Sequence, residues 1–215
     1  MRTILITFTF LLICCSVQSD LNNFTQEEIE YFTEIALGAE FGDEVPVIKK
    51  WMDDIHIKIN GEPTAIDLQT INNIVEDLNE LVPGIKIVLV DKDENLTITF
   101  SPESDFTSID PNYVPTNYGF FWALWHDDNF VIYNASILIA STDITQQERS
   151  HLIREELTQS LGLMNDSNMY KNSIFYQAWT DVAEYSQIDR TVIKLLYIKK
   201  IVPGMSKEQV LNILN

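Results

Sequence analysis

The sequence predicts an α+β domain in which one mixed sheet packs against helices. Three observations support this prediction: apolar segments that alternate with polar residues, amphipathic segments that open with capping boxes, and the lack of any repeat or linker after the first 19 residues. The predicted order is helix, strand, helix, several strands, a long helix, an irregular segment and a mostly helical C-terminal part. Such grouping of strands and helices is typical of the α+β class.

The first 19 residues have the composition of a secretory signal peptide. Arg2 gives a positive start, residues 4–15 form an apolar run, and a small-residue cleavage site ends at Ser19. The run is too short for a membrane span and no second run follows, so we expect no transmembrane segment in the mature chain. Cleavage after Ser19 predicts a secreted, periplasmic or cell-envelope protein. The alternative is a lipid anchor at Cys14 or Cys15.

Residues 20–215 are expected to form a single domain, with an upper part over 20–163 and a C-terminal part over 164–215. The chain has 14 Lys and Arg against 32 Asp and Glu, a formal net charge of −18. This balance argues against nucleic acid as a partner, because nucleic-acid binding needs clustered basic residues. Both cysteines lie in the leader, so the mature chain has no disulfide and no cysteine metal site.

The first half of the domain contains two capped helices and three strands. Capping boxes predict helices over 25–38 and 64–82, the second ending before a Pro-Gly pair. Strict alternation predicts a strand over 55–59. Two further strands are predicted over 85–90 and 96–100, joined by a polar turn.

The second half begins with a hairpin and ends with helices. Apolar, aromatic segments over 118–125 and 130–140 flank a polar turn and predict two antiparallel strands. A third capping box starts a long helix at Thr145, which Gly162 ends as a left-handed cap. Ser186 starts the next helix, and Ser206 starts a short terminal one.

The long helix contains the most informative motif of the chain. Residues 151–166, HLIREELTQSLGLMND, have the layout His-Glu-x-x-His-x-x-Gly-x-x-His/Asp, which in zinc peptidases places two imidazoles on one helix face beside a glutamate base. In this chain the corresponding positions hold Glu155, Glu156, Gln159, Gly162 and the pair Asn165–Asp166. The layout is kept, whereas both helical histidines are replaced.

Helical geometry separates this segment into an apolar and a polar side. The apolar stripe, which should face the core, consists of Ile153, Leu157, Leu161 and Met164. On the opposite side His151, Glu155 and Gln159 lie four residues apart. These three are either ordinary residues of a solvent-facing helix side or the floor of a site. His56 and His126 are expected to be surface residues.

The C-terminal third of the chain resembles a known group of proteins. The segments that carry the resemblance are 155–166, 173–177 (SIFYQ), 188–197 and 203–205. Together they resemble the second half of a metzincin-type zincin, and more closely a family of exported bacterial proteins known as a domain of unknown function. The resemblance implies a zincin-like fold with this helix at its centre.

The resemblance also implies roles for individual residues. Glu156 corresponds to the general base that activates a metal-bound water. The three ligand positions correspond to Glu155, Gln159 and Asn165. Phe175 corresponds to the methionine of the turn beneath the metal, and Tyr176 to the tyrosine that often follows it.

The residue types and the resemblance favour different metals. The resemblance implies zinc, which prefers imidazole nitrogens in catalytic sites. The side chains of Glu155, Gln159, Asn165 and Asp166 offer oxygens, which suit calcium, magnesium or manganese. His151 forms an i, i+4 pair with Glu155 and could add one nitrogen. A divalent cation is therefore expected if the site holds a metal.

Three functions are compatible with these observations. The first is a metal-dependent peptidase in which Glu156 is the base and a peptide or protein substrate lies along the strand 130–140. The second is a non-catalytic module that uses the same cleft to hold a peptide or an envelope component. In the third, Glu155 and Gln159 only hydrogen-bond the turn at Asn165–Asp166 and stiffen the fold.

Overall fold

The computed structural model describes residues 24–38 and 46–214. The leader predicted over 1–19 lies outside these residues. The helices are Gln26–Leu37 (α1), Ala65–Leu81 (α2), Phe106–Ile109 (α3), Gln146–Gln159 (α4), Gln187–Tyr197 (α5) and Lys207–Leu214 (α6). The strands are Lys50–Trp51 (β1), Ile55–Gly61 (β2), Ile87–Leu89 (β3), Leu96–Ser101 (β4), Gly119–Trp125 (β5) and Val131–Ala140 (β6).

Capping boxes open four of the helices, as the sequence predicts for three of them. At α1, α2 and α4 the capping residues are Thr25, Thr64 and Thr145, and Ser186 caps α5 in the same way. In each box the hydroxyl of the capping residue accepts a hydrogen bond from the N3 amide. The N3 carboxylate accepts one in turn from the amide of the capping residue. Gly162 follows α4 with φ 114°, which confirms the left-handed turn predicted there.

The six strands form one mixed sheet. Its order is β1-β6-β4-β2-β3, and β5 pairs with the other edge of β6. All pairs are parallel except β5 with β6, which confirms the predicted hairpin. The strands β3 and β4 are consecutive in sequence, yet both pair with β2 and not with each other. The polar turn between them therefore crosses β2 at the level of Ile57, which lies opposite both Leu89 and Leu96.

The sheet has a different core on each face. The main core joins the helices to one face and draws side chains from Ile29 to Leu214. A smaller cluster covers the other face beneath the segment that precedes β5. It consists of Phe106, Tyr113, Phe120, Leu138 and Ala140. The predicted fold class, one mixed sheet packed against helices with a mostly helical C-terminal part, is thus confirmed.

Helix α4 lies in the middle of the molecule. It packs against α2 and against β5 and β6, and every residue from Arg149 to Gln159 is buried. The apolar stripe predicted for the core is buried as expected. The alternative of a solvent-facing polar side is wrong, because His151 and Gln159 are only 3% and 2% exposed. Neighbouring elements cover the helix on all sides, so its polar side chains need partners inside the protein.

No helix in the described ranges is both long and apolar enough to cross a membrane.

Candidate functional site

A cavity of about 170 Å³ opens along the polar side of α4. Its floor is formed by α4, one wall by the start of β5 and the residues before it, and the other wall by the segment 176–179 after the motif helix. The lining includes the polar and aromatic residues His151, Glu155, Glu156, Gln159, Tyr118 and Trp179. The cavity therefore lies between the motif helix and strand β5 of the hairpin.

His151 and Glu155 form a buried pair on the cavity floor. Nε2 of His151 lies 3.2 Å from Oε2 of Glu155, and Nδ1 lies 2.6 Å from the carbonyl oxygen of Val182. Burial acts to lower the pKa of His151, but the hydrogen bond and charge of Glu155, together with the carbonyl of Val182, raise it above its ordinary value. The protonated imidazole is thus favoured, and both of its nitrogens have acceptors.

Gln159 and Asp166 form a second pair one turn further along. Nε2 of Gln159 donates to Oδ1 of Asp166 at 2.8 Å. This contact is the one that the structural hypothesis predicted between the helix and the following turn. Asn165 does not join it, since its Nδ2 donates to the carbonyl of Glu34 in α1 at 3.2 Å. The structure therefore brings Asp166, and not Asn165, towards the helix.

Glu156 lines the same cavity and is 7% exposed. It lies against the backbone of Gly119 at the start of β5. A methyl group at position 119 would be 2.5 Å from Oε1 of Glu156 and 2.9 Å from Cδ2 of Leu152. Glycine is thus required at this position for the carboxylate to occupy its place between helix and strand.

Two aromatic rings flank the mouth of the cavity. Tyr118 and Trp179 meet edge to face with their centroids 6.0 Å apart. Nε1 of Trp179 donates to Oε1 of Glu148 at 3.0 Å, which ties the exposed indole to the first turn of α4. Tyr176 contributes a third ring to the lining.

The segment that carries Tyr176 is fixed from below by a buried network. Ser173 donates to Asp189 at 2.5 Å and contacts the hydroxyl of Tyr31 at 2.8 Å. The amide of Phe175 donates to Ser173 at 3.0 Å. Phe175 is fully buried beneath the site, in the position that the resemblance gave to the turn methionine.

The donors of the site do not suit a zinc ion. A catalytic zinc ion is usually held by imidazole nitrogens, with a carboxylate as a further ligand, whereas both nitrogens of His151, the one histidine among the described residues of the lining, contact Glu155 and Val182. Within residues 24–38 and 46–214, no group of three or more His, Cys, Asp or Glu could hold a metal ion. The assignment of Glu155, Gln159, Asn165 and Asp166 as ligands stays a prediction. No step proposed below passes through a metal.

The strand that borders the cavity is β5, which corrects the predicted path of a peptide along 130–140. Strand β6 has β5 on one edge and β1 and β4 on the other, so both of its edges are occupied. Strand β5 pairs with β6 alone among the described strands. A peptide could therefore add to β5 but not to β6.

Sequence analysis missed the two residues that shape the cavity most directly. Gly119 falls inside the strand predicted over 118–125, where a glycine signals close approach of another group. Trp179 lies in the segment expected to be irregular, and only the tertiary structure brings it to Tyr118. Of the hairpin aromatics, Phe120 and Phe121 contribute to the lining, but the ring of Phe120 stacks on Trp122 in the smaller cluster on the other face of the sheet.

These features define an α+β protein in which one mixed sheet packs against helices and a buried polar helix lies beside the antiparallel strand. Its sheet is parallel except for the strand beside the motif helix, and the helix presents Glu155, Glu156 and Gln159 to the cavity between them. The chain belongs to the family described as Protein of unknown function (DUF2927), whose profile matches residues 25–215.

Other comparisons show only a distant likeness of fold. Two solved structures of myroilysin are similar to this chain at 11% sequence identity. The match to the first structure covers 70% of this chain and 83% of the myroilysin chain, with a TM-score of 0.45. The match to the second covers 69% of this chain and 86% of the myroilysin chain, with a TM-score of 0.44. No curated protein sequence matches the chain.

Proposed function

We propose that this protein binds an extended peptide on the outer edge of β5 and inserts a basic side chain into the adjoining cavity. The binding does not depend on a metal. The observation that carries the proposal is the position of the buried carboxylate of Glu156, beside the His151–Glu155 pair and beneath a strand that pairs only with β6 among the described strands.

The backbone of β5 supports the addition of a strand. The amide of Ala140 donates to the carbonyl of Tyr118 at 2.8 Å. The backbone N–H and C=O of Tyr118 therefore point towards β6. Because these groups alternate along an antiparallel strand, those of Gly119, Phe121 and Ala123 point away from β6. They can bond an incoming peptide, and such main-chain bonds give affinity without sequence preference.

The cavity supplies the preference for a positive charge. The carboxylate of Glu156 is 7% exposed in this cavity and adds a negative charge beyond the His151–Glu155 pair, which favours a cationic ligand. The rings of Tyr118 and Trp179 at the mouth offer cation–π contacts, each contributing roughly 0.5–2 kcal/mol. The net charge of −18 would attract a basic peptide before contact. Export of the chain would bring it to peptides of the envelope or the exterior.

The test is calorimetric titration with three blocked heptapeptides of alanine that carry lysine, norleucine or glutamate at the centre. We expect the lysine peptide to bind at least tenfold more tightly than the norleucine peptide, and the glutamate peptide not to bind. The substitution Glu156→Gln should weaken the lysine peptide about tenfold and leave the norleucine peptide unchanged. Chelator should alter none of these values.

One further measurement separates the backbone contacts from the charge. A lysine peptide with N-methylated amides cannot pair with β5 and should bind more weakly than its parent. Equal binding of all three peptides by the unmodified protein would disprove the role of the carboxylates. Binding that chelator abolishes would disprove the metal-independent mechanism.

A hydrolase is the second candidate, favoured by the fit of Glu156 against Gly119. In that case Glu156 would take a proton from the attacking water, and Glu156→Gln would abolish cleavage of the lysine peptide without loss of stability. Metal analysis of the purified protein and of a Glu155→Ala, Gln159→Ala variant tests the predicted ligands. About one equivalent of metal, lost in the variant, would favour this candidate over the first.

A further inference from the structure

A second cavity lies away from the candidate site, beside the short strand β1. Its volume is about 340 Å³. It is enclosed by the end of β1, the turn after α2 and the segment after α5. The lining consists of Lys50, Trp51, Met52, Pro83, Gly84, Ile85, Tyr197, Lys199, Ile201 and Val202. Most of this surface is apolar, and Met52 and Val202 remain 50% and 41% exposed at its mouth.

The charge of this lining is opposite to that of the protein as a whole. The chain has more than twice as many acidic as basic residues. Nevertheless, two lysines and no aspartate or glutamate occur among the described residues that line the cavity. The first cavity differs, because its floor holds two carboxylates, Glu155 and Glu156, and one basic group, His151. The two linings thus carry an excess of opposite charge.

Lys50 is held rigidly inside the second cavity and is only 5% exposed. Its Nζ donates to the carbonyls of Leu196 and Ile201 at 3.1 and 2.5 Å. An ammonium group has three N–H donors, and these two carbonyls take two of them. Burial lowers the pKa of Lys50 to about 8, and an anion beside it would raise that pKa again.

We propose that this cavity binds a single-chain anionic amphiphile, a carboxylate that carries a hydrocarbon tail. The carboxylate accepts the remaining N–H of Lys50 and is approached by Lys199 at the rim. The tail lies on the apolar surface between Trp51, Ile85 and Val202. A neutral chain of equal length gains the apolar contacts alone and binds less tightly, and a cationic chain is repelled by both lysines.

The experiment is calorimetric titration of the purified protein with dodecanoate, dodecanol and dodecyltrimethylammonium, each below its aggregation concentration. We expect one saturable site for dodecanoate, at least tenfold weaker binding of dodecanol, and no saturable binding of the cation. The substitution Val202→Asp adds a negative charge at the exposed mouth and should weaken dodecanoate at least tenfold. Val88→Asp, at an exposed position that does not line the cavity, is the matched control and should bind like the unmodified protein.

Lys50 itself provides a second readout. Its pKa, followed by NMR of the labelled lysine side chain, should rise when dodecanoate binds and stay unchanged with dodecanol. Equal affinity for the carboxylate and the alcohol would overturn the proposal, as would identical binding by the Val202→Asp and Val88→Asp variants. A dimer that Val202→Asp dissociates, without any uptake of dodecanoate, would assign the cavity to a second copy of the chain and overturn it as well.

Discussion

Helix α4 has buried charged side chains on two sides. An arginine–aspartate pair neutralises the charge on one side, and a histidine–glutamate pair neutralises it on the other. On the side towards α2 and α5, Arg154 is 1% exposed and lies 2.8 Å from Asp77, with its guanidinium 4.3 Å from the ring centroid of Tyr185. On the cavity side, His151 is 3% exposed and pairs with Glu155 at 3.2 Å. Both cations are buried beside a carboxylate.

The difference lies in what each cation can do when its partner is removed. A guanidinium cannot lose its proton in a protein, so a buried arginine must keep its counterion. An imidazole can become neutral, so His151 tolerates a change of partner or the arrival of a charged ligand. The arginine side is therefore suited to hold the fold together. The histidine side is suited to a site whose charge can vary.

The largest effect is expected from the arginine side. Replacement of Asp77 by alanine should lower the free energy of unfolding by about 3 kcal/mol, because it leaves the charge of Arg154 buried with only the exposed Glu184 at 3.5 Å. Urea denaturation measures the change. Adding Arg154→Met to this variant should recover part of the loss, since it removes the uncompensated charge.

The matched change on the cavity side is Glu155→Ala. It should cost only about 1 kcal/mol, because His151 can deprotonate once its partner is gone. Equal losses for Glu155→Ala and Asp77→Ala would contradict the distinction between the two sides.

The second prediction concerns acid. Burial acts to raise the pKa of Asp77, but hydrogen bonds from Arg154 and Arg190 outweigh it and hold the pKa below its ordinary value of 3.8. The stabilisation from this carboxylate is therefore complete above pH 3.8 and disappears as the pH falls through the lower pKa of the folded state. The difference in unfolding free energy between the unmodified protein and Asp77→Asn should be constant from pH 7 to 5 and shrink towards pH 2.

On the cavity side, Gly119→Ala should reduce function more than stability. The added methyl group must displace the carboxylate of Glu156, and we expect the lysine peptide to bind about tenfold more weakly. The unfolding free energy should fall by only about 1 kcal/mol, because the neighbouring side chains can move. Gly119→Ala combined with Glu156→Gln should bind no more weakly than the weaker single variant, since both act on the same group.

The smallest effect is expected at the mouth. Trp179 is 57% exposed, so Trp179→Ala should leave the unfolding free energy within about 0.5 kcal/mol. Loss of its ring should weaken the lysine peptide about fivefold through the lost cation–π contact. The exposed Met169→Ala, at 44% exposure and outside the lining, is the control that should change neither quantity. If Trp179→Ala binds the lysine peptide with unchanged affinity, the indole does not contact that peptide.

Much of the fold could be predicted from local patterns. The capping boxes fixed the starts of α1, α2 and α4, because side chains at fixed spacing satisfy the first amides of a helix without help from the rest of the chain. The hairpin of β5 and β6 followed from two apolar segments rich in aromatic residues around a polar turn. The pairing of β3 and β4 with β2 could not be predicted in this way, because parallel partners are chosen by contacts far apart in sequence.

The candidate site could likewise be predicted only in part from the sequence. Its helix and the positions of Glu155, Glu156 and Gln159 were determined by the sequence, since residues four apart share one face of a helix. Only the tertiary structure decided that this face is buried, that Asp166 and not Asn165 turns towards it, and that Gly119 and Trp179 complete the cavity. The physical reason is that burial and the partner of each side chain depend on which elements pack together, and no local spacing carries that information.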